Sequence, residues 1–102
     1  MAILLLMAAT MASATPTEAQ VQRELKSAPH AIRDFLERRA GCNHWAGEAP
    51  YDAERAAYIA KSVRELRCRQ IEADEKRIKR RYAKSRRVLW LLKTTRDWDT
   101  IP

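Results

Sequence analysis

Cys42, His44, Glu48 and Cys68 are the side chains here whose types could do chemistry. A thiol near an imidazole and a carboxylate can ligate zinc, and a thiolate with an imidazole base can act as a nucleophile. Spacing argues against both. Structural zinc sites pair their ligands as Cys-x2-4-Cys or His-x3-5-His, whereas this chain offers only Cys42-x-His44. In an exported protein the two cysteines are expected to join each other. We therefore expect a Cys42–Cys68 disulfide, with a metal set of Cys42, His44, Glu48 and Cys68 as an alternative. His44, Trp45 and Glu48 then stand as candidate binding residues in the connection 42–51, CNHWAGEAPY. There is no glycine-rich phosphate loop, no Gly-x-Ser-x-Gly and no evident acid/base pair of carboxylates. A non-catalytic protein without a cofactor is expected, and no small-molecule substrate is evident.

A second set of residues is purely electrostatic. Glu72, Asp74 and Glu75 lead into Lys76, Arg77, Lys79, Arg80, Arg81, Lys84, Arg86 and Arg87. The formal net charge is +7 and the isoelectric point about 9.9, so the surface should attract anions. A run of this kind is either a solvated face or an anion-binding one. In an exported protein the available anions are lipid head groups, lipopolysaccharide phosphates and acidic polymers, and nucleic acid is not favoured.

The elements that must position these residues read as helices. Two glycines in 102 residues, abundant Ala, Arg, Glu and Leu, and little strand-like alternation make the chain all-α. Residues 52–84 hold no glycine and no proline, begin at the capping residue Asp52, and carry Ile59, Val63, Leu66, Ile71, Ile78 and Tyr82 at helical spacing. The stripe slips in phase between Leu66 and Ile71, which fits either a single long helix or a break near 68–74. With no Gly or Pro to stop it, a single central helix is expected. Before it, Val21 and Leu25 mark a short helix within 15–26, and Ile32, Phe35 and Leu36 mark a first firm helix over 29–40, with Gly41 as its stop. After it, 85–98 is amphipathic, Trp90 and Trp98 should pack over Leu36 and Ile59, and 99–102 should be loose. The expected fold is thus a small three-helix domain over 15–102, stapled by one disulfide. A taut connection should run down the central helix, because Cys68 lies roughly 24 Å beyond Asp52 and nine residues reach about 30 Å.

Residues 1–14, MAILLLMAATMASA, are apolar or small and end in Ala12-Ser13-Ala14, as a signal peptide cleaved after Ala14 would. The run is too short to cross a bilayer, which takes about 20 apolar residues. A periplasmic or secreted monomer without a transmembrane span is the consequence.

Several stretches together resemble a group of small exported helical proteins of Gram-negative bacteria. They are Cys42-Asn43-His44-Trp45, Gly47-Glu48, Pro50-Tyr51-Asp52, Arg55, Leu66-Arg67-Cys68, Asp74-Glu75 and Arg81-Tyr82-Ala83. More distantly, Cys68, Asp74, Ile78 and Tyr82 are similar to the cysteine, aspartate, leucine and tyrosine pattern of the exported lysozyme-inhibitor (LprI-like) family. The first likeness implies export, and the chain as a whole is expected to have a binding or structural role in the envelope, with an anionic envelope component or another envelope protein as partner. The second implies inhibition of a cell-wall hydrolase.

Overall fold

The structure, a computed structural model, describes residues 2–5 and 17–102. Of the signal-peptide segment only 2–5 is described; there Ile3, Leu4 and Leu5 are more than four-fifths exposed and have no regular secondary structure. The rest of that reading lies outside the described residues.

The described residues form five α-helices and no strand: α1 Glu18–Lys26, α2 His30–Ala46, α3 Ala53–Glu65, α4 Ile71–Arg81 and α5 Arg86–Thr94. The first begins with a capping box. Thr17 Oγ1 accepts from Gln20 N at 3.2 Å and Gln20 Oε1 accepts from Thr17 N at 2.7 Å, satisfying two amides that have no partner inside the helix. Asp52 caps α3 through Arg55 N at 2.7 Å, and Ser85 caps α5 through Val88 N at 3.2 Å.

Several expectations change here, the three-helix count among them. The first firm helix does not stop at Gly41 but runs on to Ala46, with Gly47 at its C-cap, so Cys42, His44 and Trp45 are helical. Gly41 serves close approach instead. A Cβ there would lie 2.9 Å from Leu66 Cδ1, so the missing side chain lets the end of α3 cross α2 beside Cys42. The expected taut connection from Cys42 is not formed: residues 42–46 are helical, and the Cys42–Cys68 disulfide joins α2 itself to the residues just past α3.

A further correction concerns the single long central helix, which is broken. After Leu66, Arg67 turns left-handed (φ 52°, ψ 49°), a 3-10 turn Cys68–Gln70 follows, and α4 starts at Ile71. The phase slip between Leu66 and Ile71 was the sign of it. A left-handed arginine costs roughly 1–2 kcal/mol, and the fold holds it with a side chain from another helix. Arg38 of α2 donates from Nε to Leu66 O at 2.6 Å and from Nη2 to Arg67 O at 3.1 Å, capping carbonyls that the ended helix leaves open.

The core is built by α1, α2 and α5. Val21, Leu25, Ile32, Phe35, Leu36, Val88, Leu91 and Leu92 are buried, with Ile71, Ile78, Tyr82, Trp90, Trp98 and Ile101 packed around them. Trp90 and Trp98 therefore do pack over the cluster that holds Leu36, while Ile59 is outside it. The tail is not loose. Asn43 Nδ2 donates to Arg96 O and Trp98 O, both at 2.9 Å, and Arg33 Nη1 donates to Pro102 O at 3.2 Å. α3 buries no residue at all and is attached at its two ends.

Candidate functional site

Arg55 gathers the sequence-marked residues around it. His44 and Trp45 come from the last turn of α2, Glu48 from just beyond Gly47, and Arg55 and Tyr58 from the first turns of α3. The Asp52 cap fixes where α3 begins, and so places Arg55 one turn later. The guanidinium lies 5.4 Å from the Trp45 ring, 5.8 Å from Tyr58 and 6.0 Å from Tyr51. Such distances let a cation draw on the negative faces of the rings. Its Nη2 also meets Glu48 Oε2 at 3.1 Å, while the other Glu48 oxygen is 3.4 Å from His44 Nε2. Trp45 and Tyr58 meet edge-on at 5.4 Å. Tyr51 and Tyr58 are 77% and 55% exposed, so two phenol rings flank the guanidinium at the surface.

His44, Trp45 and Glu48 thus lie together, at a helix end rather than in the expected loop. Arg55 and Tyr58 were missed as site residues. The available signal was an arginine three residues after the Asp52 cap, in a helix whose start follows a Trp- and Tyr-containing connection. The alternative metal set does not assemble. Cys42 and Cys68 are bonded to each other, leaving neither thiolate to a metal, and among the described residues no cluster of His, Cys, Asp and Glu has metal-holding geometry.

The basic run does not lie on one helix. Lys76, Arg77, Lys79, Arg80 and Arg81 belong to α4, Lys84 to the following turn, and Arg86 and Arg87 to the first turn of α5. Three of them have carboxylate partners: Arg77 with Asp74 at 2.6 Å, Lys79 with Glu75 at 3.5 Å and Arg87 with Glu24 at 2.7 Å. Lys76, Arg80, Arg81, Lys84 and Arg86 have none among the described residues, and Arg81 rests near the Tyr82 ring at 5.8 Å. Basic side chains suit the C-terminus of α4, but Arg86 and Arg87 sit at the positive end of α5, whose first turn has no acid. The run thus wraps a corner between two helices.

A buried guanidinium joins α4 to this frame. Arg39 is 4% exposed and donates through Nη2 to Leu92 O at 2.7 Å and Thr95 Oγ1 at 3.1 Å, while Nη1 meets Glu75. Burial pushes its pKa down and the Glu75 carboxylate opposes that shift. Next to it, Arg38 Nη2 donates to Asp74 Oδ2 at 2.7 Å, and this hydrogen bond holds the Asp74 carboxyl below the usual carboxylate range.

Comparison with known proteins finds no matching family model, curated protein or solved structure. No described helix is long and apolar enough to cross a membrane.

Proposed function

We propose that this chain is an exported, non-catalytic binding protein of the bacterial envelope that docks on anionic surfaces through the α4–α5 corner. One observation carries the reading: Arg80, Arg81 and Lys84 line one surface recess where α4 ends, and neither they nor Lys76 and Arg86 on either side have a carboxylate partner among the described residues. Local structure does not ask for Arg86 at the positive end of a helix, which points to a use outside the fold. The disulfide and the apolar start of the chain support export, and the resemblance of 42–55 to small exported envelope proteins agrees with it.

Co-sedimentation with phosphatidylglycerol-containing vesicles tests the reading. Each cation near an anionic membrane contributes about 1 kcal/mol, so Lys84→Gln with Arg86→Gln should weaken binding roughly tenfold to thirtyfold. Lys61→Gln with Arg64→Gln removes the same charge from α3 and should leave it nearly unchanged. Equal losses in both variants would reduce the effect to net charge and sink the corner as a site. Intact mass of the protein from fractionated cells, before and after reduction, tests export itself: the mature chain should begin at Thr15 and lack two hydrogens.

A second reading, inhibition of a cell-wall hydrolase, is favoured by the Arg55 cluster. Tyr, Trp and Arg are the residues that dominate protein interfaces, and Tyr51 and Tyr58 are exposed beside Arg55 and Trp45. Glu48, Asp52 and Glu54 outnumber Arg55 on this stretch, which relieves the repulsion a +7 chain would feel toward a basic enzyme. Tight one-to-one binding that survives moderate salt and is lost in Tyr51→Ala with Tyr58→Ala would select this reading over the first.

A further inference from the structure

Among the described residues, Arg67 alone holds a left-handed backbone. The position ends a helix, where glycine or asparagine meets the same requirement without a clash at Cβ. The chain keeps an exposed arginine there, and its side chain lines a groove of about 390 Å3 between α2 and α4. This groove exists because long side chains span the two helices: Arg38 to Asp74 and Arg39 to Glu75 bridge them. Buried Phe35 and half-buried Ile78 give it an apolar floor, and Arg67, Arg77 and Arg81 stand at its exposed rim. Asp74 is already taken by Arg38 and Arg77, so Asp34 is the one carboxylate on the lining without a partner among the described residues.

We propose that this groove binds a single-chain amphiphile with an anionic head, phosphate or carboxylate. Its apolar chain lies on Phe35 and Ile78, and its head is taken by the guanidinium of Arg67, which precedes α4. The volume is that of a small-molecule site, and an apolar floor with a few convergent charged groups is how such sites fix a ligand. Guanidinium donors suit both head groups, since they offer paired N–H groups to two oxygens at once. The proposal goes beyond surface docking: it concerns one monomeric ligand in a defined groove and stands even if the corner binds no membrane.

Arg67→Gly makes a selective test, because it removes the guanidinium while suiting the left-handed backbone. The full, disulfide-bonded chain is titrated calorimetrically with dodecyl phosphate and with laurate, each below its micelle concentration, and with inorganic phosphate. One-to-one binding of dodecyl phosphate or laurate is expected, and none of inorganic phosphate at the same concentration. Arg67→Gly should lower that affinity about tenfold, the loss of one charge-assisted contact, with its thermal midpoint held or raised. Ile78→Ala should weaken it by removing floor, and Lys84→Gln with Arg86→Gln should not change it. No binding by either amphiphile, full affinity in Arg67→Gly, or inorganic phosphate binding as tightly would each overturn the proposal. Loss only in the Lys84 and Arg86 double variant would overturn it too, assigning the ligand to the corner.

Discussion

Arg39 sits on the apolar stripe of α2 that includes Ile32, Phe35 and Leu36, where a charge is costly unless it is answered. Three acceptors answer it, and only Glu75 is charged. Glu75→Ala should therefore cost about 3 kcal/mol in chemical denaturation, since it strands a buried cation rather than removing a surface pair. Asp74 makes a different prediction. Its carboxyl is more acidic folded than unfolded, so its contribution is fully present above the ordinary aspartate range near pH ~4. That contribution is lost as the pH falls from there through the lower folded value. Denaturant midpoints followed from pH 6 down to pH 2 should show this loss, and Asp74→Asn should flatten that part of the profile. At Arg67, relief of left-handed strain should make the glycine variant more stable by about 0.5–1 kcal/mol, measured in the same way.

At the scale of elements, α2 is the organiser, a role its composition partly hid. Helix identity was legible where cap and apolar period agreed, as at Asp52, and so was the disulfide. Gly41 misled because the same residue type ends helices and admits close neighbours; only the position of Leu66 separates the two roles. The break at Arg67 was visible only as a phase slip, because a non-glycine left-handed residue has no signature of its own. Within the site, His44, Trp45 and Glu48 could be read from unusual local composition, whereas Arg55 and Tyr58 join them only once Asp52 fixes the start of α3. α3 buries nothing, so the bond between Cys42 and Cys68 is its chief anchor at the far end. Closing about 25 residues limits the unfolded chain by about 3.5 kcal/mol in the chain-entropy model. On reduction, hydrogen exchange should therefore accelerate across 53–65 while 32–36 and 88–92 stay protected. Uniform acceleration would show that the bridge holds the whole fold rather than one helix.

Over the whole molecule, charge is distributed unevenly. Cations without carboxylate partners are most closely spaced along the chain where α4 leads into α5, and the Arg55 cluster lies where acids outnumber bases. Vesicle binding through the corner should thus fall steeply between low and physiological salt, whereas a contact made by Tyr51 and Tyr58 should barely respond; titrating both against salt separates the two surfaces. The shape of the core has a consequence for how the protein is made. Val21 and Leu25 come from the first helix and Leu91 and Leu92 from the last, and they share one cluster across α2. For a helical protein this is a long-range closure, and the early helices cannot complete their core until the final one arrives. A chain emerging from its N-terminus, at a ribosome or through a membrane pore, therefore stays uncommitted almost to its end. Such a chain can be threaded unfolded and gain its core only once it is released.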